Sequence, residues 1–265
     1  MQVPFPISDG ATRGRSLVPT AILTDLHANR EAMEACLEHA RAAGATRFAV
    51  LGDLVGYGAD PGWVVDAVRA LAEAGAPVVR GNHDDAVVGP DHAAMHEAAR
   101  AAVSWTRNRL DESQRAWLAT LPLTAELPGG VLLVHANGWK PGGWEYMDGA
   151  FEAQRCLQAV PHRLVLAGHV HEPALYHLGP TGRPAGFMPV PAVPIPLSSQ
   201  RRWVALPGSL GQPRDGVPAA CWAMLDDAAR TIVFHRTPYD NAAAAAKVRA
   251  AGLPESLALR LETGR

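Results

Sequence analysis

Five times within its first 171 residues the chain runs a short apolar stretch straight into aspartate, asparagine or histidine: Asp25-Leu26-His27, Gly52-Asp53, Asn82-His83-Asp84, His135 and His169-Val170-His171. This recurrence restricts the fold sharply. Apolar runs of a few residues closed by glycine read as buried strands. Residues at the carboxyl ends of such strands are where α/β sheets place ligand chemistry. Ionisable groups at a buried strand end are costly without partners, so the five clusters must satisfy one another or a shared ligand.

The segments between them support an alternating layout. Residues 17–23, 48–51 and 78–79 read as strands. A helix follows the first, with Asn29 near its start, Met33, Cys36, Leu37 and Ala40 at helical spacing, and Gly44 at its close. Asp60-Pro61 makes an N-cap and first turn for a second helix. This βαβαβ run predicts parallel strands with right-handed crossovers. The alternation then stops. Residues 91–109 are alanine-rich and helical, and Asp111 caps a further helix with Gln114 at the capping-box position. With no strand between them, 86–125 is expected to be a helical cap insert over the site. Strands resume at 131–134 and 164–166 around a helix at 151–160. Beyond His171 the chain is expected to be β-rich, at 174–178, 202–206, 220–225 and 231–235, and then helical over 241–265. The proline-rich stretch 179–196 reads as exposed and extended. Residues 1–16 read as a flexible tail, which leaves 17–265 as a single domain.

Composition bounds the partners. With 265 residues, 48% of them apolar, the chain can bury a substantial core, and a net charge of -2 argues against electrostatic capture of nucleic acid. Cys36, Cys156 and Cys221 are odd in number and form no CxxC. That suits a reducing compartment, and no stretch reads as a membrane span or signal peptide, so the expected location is cytoplasmic.

The spacing within the clusters points to metal. Asp-x-His and His-x-His each put two side chains on one face of an extended segment. Two such pairs facing each other across Asp53 would make a cage for small cations, with Asp53 bridging two of them. Mixed imidazole, carboxylate and amide donors suit Mn, Fe or Zn rather than Ca or Mg. His92 and His96 are four apart, but no Glu follows His92, so they read as a solvent face or, as the lesser alternative, as lining the substrate entrance. His39, His162, His177 and His235 lack local partners and read as structural. Trp139 and Trp144 lie among glycines and either touch a nucleobase or pack.

Taken in order, Asp25-x-His27, Gly52-Asp53-x-x-Gly56, Gly81-Asn82-His83-Asp84, His135 and Gly168-His169-x-His171 resemble the five signature blocks of the calcineurin-like metallophosphoesterase superfamily. Residues 52–61 and 207–216 further resemble the small prokaryotic phosphoesterases grouped near diadenosine tetraphosphatases. The resemblance implies an α/β fold, a four-layer α/β/β/α sandwich of two mixed sheets with a two-metal site between them. It implies one ion held by Asp25, His27, Asp53 and His171, and another by Asp53, Asn82, His135 and His169, with His83 facing the substrate. The implied activity is that of a metal-dependent phosphoesterase. A hydroxide shared by two divalent cations (Mn, Fe or Zn) attacks a phosphomonoester, phosphodiester or nucleotide, and His83 serves the leaving group with Asp84 orienting it. Arg214 is the candidate phosphate clamp, or else a solvated loop arginine. Asn29 and Arg80 are weaker candidates for the same task, and Tyr57 either stacks on a base or packs under a helix. Gly56 and Tyr57 stand where serine/threonine protein phosphatases carry Asp and Arg, which disfavours that alternative. A non-enzymatic scaffold is disfavoured because all seven ligand positions and His83 are retained.

Overall fold

The computed structural model describes residues 19–89 and 95–265. The expected tail at 1–16 and His92 lie outside the described residues. The first helical unit forms as its sequence dictates. Strand β1 (Thr20–Leu23) and strand β2 (Arg47–Val50) pair in parallel across helix α1 (Arg30–Ala42). The Asn29 side chain caps α1 by accepting Ala32 N–H, and Met33, Cys36 and Ala40 are buried beneath it. Helix α2 (Pro61–Glu73) starts with proline at its first turn. Asp60 precedes it, but its carboxylate takes the Lys247 ammonium at 2.7 Å instead of capping the helix. The third expected strand shrinks to one parallel bridge, Val50 to Val78. Pro77 and Gly81 leave too few residues for a ladder, and Arg80 N–H already turns away to the Pro122 carbonyl.

Helix α3 (Asn82–Val88), unexpected from its turn-like sequence, follows at once, and then α4 (Glu97–Arg107) and α5 (Glu112–Thr120). Asp111 and Gln114 form the expected capping box of α5. Within 86–125, Val87, Leu110, Leu118 and Leu121 join the core that α1 and α2 make with the sheet. The start of α4, capped by the His96 side chain, is the part that overhangs the site.

Strand β3 (Thr124–Leu127), also unexpected, is an edge strand that pairs antiparallel with β4 (Val131–Val134). After these come α6 (Ala150–Ala159), β5 (Leu164–Leu166), β6 (Pro173–Leu178), β7 (Pro184–Phe187), β8 (Ile195–Pro196), β9 (Arg202–Pro207), β10 (Ala220–Asp226), β11 (Thr231–Thr237), α7 (Asn241–Ala250) and α8 (Glu255–Thr263). The proline-rich stretch is therefore not a plain loop. It contributes β7 to the edge of one sheet and β8 to the edge of the other, where missing N–H donors are tolerated.

The strands form two mixed sheets, β2-β1-β10-β11-β8 and β3-β4-β5-β9-β6-β7. Their inner faces meet through Ile22, Ala49, Leu133, Leu164, Ala205 and Ala223. Alternate residues on the same strands face the helices. Ala21 and Leu23 pack on the α1–α2 side, and Val134, Val165 and Val204 pack on α6. Burial on both faces is why these strands read as unbroken apolar runs. The result is four layers, helix, sheet, sheet, helix, with the carboxyl ends of β1, β2, β4 and β5 opening on one edge. Among the described residues no helix is long and apolar enough to cross a membrane.

Candidate metal centre

The strand ends deliver their side chains through strained backbone. Asp25, His27, Asp53, His169 and His171 have φ of 53°, 47°, 51°, 71° and 67°. This left-handed region costs L-residues on the order of 1–3 kcal/mol each and persists only where the surroundings over-determine it. Here the loops are laced together. Asp25 N–H donates to the Gly52 carbonyl at 3.1 Å, His27 N–H to Asp53 at 2.9 Å, and Gly211 N–H to Asp25 at 2.9 Å. Gly81 is required at its place because a Cβ there would collide with the Asp53 carboxylate.

The hydrogen bonds of each imidazole fix which nitrogen is bare. A carbonyl only accepts, so a ring nitrogen against one carries the proton. His27 Nδ1 donates to the Val55 carbonyl at 3.1 Å, His171 Nδ1 to Gln212 at 2.7 Å, and His135 Nδ1 to Leu51 at 2.8 Å. All three Nε2 atoms turn inward, bare in His27 and His171, while in His135 the Asp53 carboxylate favours a proton there. His169 is held the other way, by Nε2 to the Trp144 carbonyl at 3.0 Å, which leaves Nδ1 bare. The bare atoms converge with carboxylates. His27 Nε2 and His171 Nε2 are 3.0 Å apart, and Asp25 Oδ1 lies 3.3 Å from His171 Nε2. His135 Nε2 sits 3.4 Å from Asp53 Oδ2 and 3.0 Å from Asn82 Oδ1.

Asp25, His27, Asp53 and His171 form one candidate group and Asp53, His135 and His169 another, with ligand atoms within 4.8 Å of one another in each and Asp53 common to both. Acceptors meeting acceptors in a buried space is the donor chemistry of a cation site, and the backbone carbonyls behind each ring are the outer support such sites carry. The charges agree. Burial lowers His27 and His171, and takes His169 down to about 3, so these rings are neutral. Burial opposes ionisation of Asp25 and Asp53, yet the facing imidazoles hold both carboxyls well below the ordinary range. His135 goes the other way. Burial would lower it, but the Asp53 carboxylate raises it to about 9.

A cavity of about 270 Å³ opens onto this cluster, lined by His83, Tyr57, Arg214, Trp144, Tyr146 and His96 among others. His83 Nδ1 is buried without a hydrogen-bond partner among the described residues. The Tyr57 oxygen lies 3.3 Å from His96 Nε2, and His96 Nδ1 accepts Ala99 N–H at 3.3 Å. His96 Nε2 therefore carries the proton and donates to Tyr57, whose own hydroxyl proton is left for the cavity. Arg214 lies 5.8 Å from the centre of the Tyr57 ring and donates to Gln212 Oε1 at 3.1 Å.

Three sequence expectations place differently. Asp84 does not touch His83. Its carboxylate accepts Leu54, Val55 and Gly81 N–H at 2.9, 3.2 and 2.9 Å, tying the β2 loop to the start of α3. Burial and the nearby Asp53 charge push it up to about 7. Asn29 is used up locally, its oxygen capping α1 and its nitrogen donating to the Gly211 carbonyl at 2.8 Å. Arg80 turns away to Asp85 at 3.5 Å and to the Ala119 carbonyl. Of the tryptophans, Trp144 reaches the cavity, while Trp139 packs under Arg155 and donates to Glu145. His96 is exposed to solvent and also lines the cavity, as do Met95 and Tyr146, with Tyr146 stacked on His169 at 4.1 Å. Nothing in the local sequence marks Met95 and Tyr146, because the approach to α4 and the loop before α6 bring them in from distant positions.

Comparison with known proteins agrees with this arrangement. Residues 19–230 match the family described as the calcineurin-like phosphoesterase superfamily domain. An uncharacterized protein of Methanocaldococcus jannaschii is 32% identical over 92% of this chain and 98% of its own length. The crystal structure of a metallophosphoesterase from Sphaerobacter thermophilus superposes with a TM-score of 0.81 at 35% identity, over 94% of this chain and 99% of that one. A hypothetical protein from Pyrococcus horikoshii shares the fold, with a TM-score of 0.76 at 22% identity over 94% and 99% of the two chains.

Proposed function

The chain belongs to the calcineurin-like phosphoesterase superfamily, and from that premise we propose that it hydrolyses a small phosphorylated substrate, a phosphomonoester, phosphodiester or nucleotide, with two divalent cations. Asp25, His27, Asp53 and His171 would hold one cation, and Asp53, Asn82, His135 and His169 the other. The observation that carries the reading is the convergence of bare imidazole nitrogens and carboxylate oxygens on one buried point, with the His27 and His171 Nε2 atoms 3.0 Å apart. Cations of the Mn, Fe or Zn class would supply Lewis-acid polarisation of the phosphoryl oxygens and bring the pKa of water into the neutral range.

The chain's own residues do the rest. Arg214 presents a guanidinium fork to the phosphoryl oxygens, held in place by Gln212. Tyr57 donates its hydroxyl proton into the cavity, since its oxygen is already engaged by His96. His83, packed edge-on to His27 and against Tyr57, serves the departing oxygen. Met95 and Trp144 add apolar lining to the cavity. The three buried unpaired cysteines fit a cytoplasmic setting.

The test is elemental analysis of protein reconstituted with Mn, together with hydrolysis of bis-p-nitrophenyl phosphate beside p-nitrophenyl phosphate. Stoichiometric metal and metal-dependent turnover of at least one ester are expected. Trace metal, or no turnover of either, would sink the reading.

A further inference from the structure

A second groove opens beside the metal-facing cavity and shares two of its walls, Tyr146 and Arg214. Its volume is about 670 Å³. The floor is the Tyr176 ring, which lies across its cross-strand partner Gly186, where a Cβ would collide with it. Glycine in β7 thus makes a flat aromatic bed. Phe187 and Met188, 45% and 64% exposed, form an apolar rim. Asp148 and Glu172 line the groove, and with Glu152 they face the Tyr176 hydroxyl. Burial and these three carboxylates raise its phenol. Arg214, at the junction with the cavity, is the one basic residue among the lining residues.

The two compartments are therefore graded in charge. The inner one, with Arg214 and the cation ligands, suits an anion. The outer one is flat, apolar and acidic. A second phosphoryl group would be repelled there, and an alkyl chain would make no use of the exposed carboxylates. A flat ring carrying N–H donors meets both demands, by stacking on tyrosine and donating to carboxylate. Resting on the phosphoesterase reading above, we infer that this groove receives the ester substituent of the substrate, and that the substituent is an amino-bearing nucleobase rather than a second phosphoryl group.

Cytidine and uridine are the probe pair, equal in size but with an exocyclic amine in one where the other has a carbonyl. Ligand-observed NMR with metal-free protein measures their binding without any turnover. KM values for their p-nitrophenyl 5′-phosphodiesters on Mn-loaded protein give a second readout. Cytidine is expected to bind about 5–10-fold more tightly than uridine, the scale of one ordinary net hydrogen bond, since Asp148 and Glu172 are exposed. The difference disappears in the Asp148→Asn/Glu172→Gln double variant, and Met188→Asp weakens both nucleosides. Methyl p-nitrophenyl phosphate, too short to reach the groove, keeps its KM in all of these variants. Equal affinities for the two nucleosides, no binding of either, or binding that the variants leave unchanged overturns the inference. Those results are independent of the functional reading, which fails on its own if Mn-loaded protein cleaves no ester, because the nucleoside titrations report on the groove in either case.

Discussion

The backbone N–H of His83 donates to Asp53 Oδ1 at 2.8 Å, so the carboxylate common to both candidate ligand groups also fixes the first turn of α3. Its other oxygen, Oδ2, lies 3.6 Å from His27 Nε2 and 3.4 Å from His135 Nε2. Structural and ligand roles thus fall on different atoms of one side chain, and substitution separates them. Asp53→Asn keeps an oxygen for His83 N–H but removes the charge. It is expected to remain folded and to lose most of its metal. Asp53→Ala also orphans a buried N–H and should lower stability by about 1–3 kcal/mol. Elemental analysis beside thermal melting of the two variants checks this, and an asparagine variant with undiminished Mn content would refute the bridging assignment.

The contrast between what the sequence displays and what it hides follows from where each constraint lives. The ligand blocks are legible because an apolar run ending in Asp or His is a local pattern, and three of the five carry a glycine, Gly52, Gly81 and Gly168. Helix α3 is hidden because Asn82-His83-Asp84 favours turns. It forms because Gly81 and Asp84 close its first turn through a side-chain bond that no propensity records. Asn29 illustrates a second limit. Its residue type allows phosphate contact or helix capping, and only the tertiary neighbour Gly211 shows that both ends of the amide are taken. Tyr146 and His96 reach the cavity from elements far apart in the chain, so their roles are properties of the assembled layers.

Tyr57 offers the next prediction. Its ring packs on His27 at 4.6 Å and on His83 at 4.4 Å, and its oxygen accepts from His96. Tyr57→Phe keeps the packing and removes the hydroxyl that His96 engages beside the cavity. A hydrogen bond to a charged phosphoryl group is worth about 1.5–3 kcal/mol, so kcat/KM should fall by about 10–100-fold. Metal content should not change. A silent Tyr57→Phe would leave packing as the role of this residue.

Acid sensitivity should trace in part to a histidine far from the site. His235 stacks on Trp222 with ring centroids 4.1 Å apart, and His39 meets it edge-on at 5.3 Å. Burial, aided by the neighbouring His39, lowers its pKa to about 4. The unfolded chain binds this proton below about 6.5, whereas the folded one does not until about 4. Stability contributed by the neutral ring is therefore complete above pH 6.5 and is lost as pH falls toward 4. In metal-free protein, the melting temperature of His235→Phe is expected to fall less than that of wild type over this window. Parallel curves would show that His235 titrates normally.

His83 carries the sharpest mechanistic consequence. Gly56 makes room for it, since a Cβ at that position would collide with His83 Nδ1. The ring lines the cavity, and burial lowers it to about 4. A neutral imidazole beside an ester oxygen matters most when that oxygen leaves poorly. Alkoxides need a proton as they depart, while p-nitrophenoxide does not. His83→Ala should therefore retain its metal, lose about 10²–10⁴-fold on alkyl phosphoesters, the usual span of general acid catalysis, and lose less on aryl esters. Single-turnover rates are the proper comparison, because slow product release can mask the chemical step. Equal losses on the two ester types would reassign the ring to electrostatic stabilisation of the phosphoryl oxygens. Loss of metal in the variant would make His83 a ligand or a support of one, contrary to its present placement.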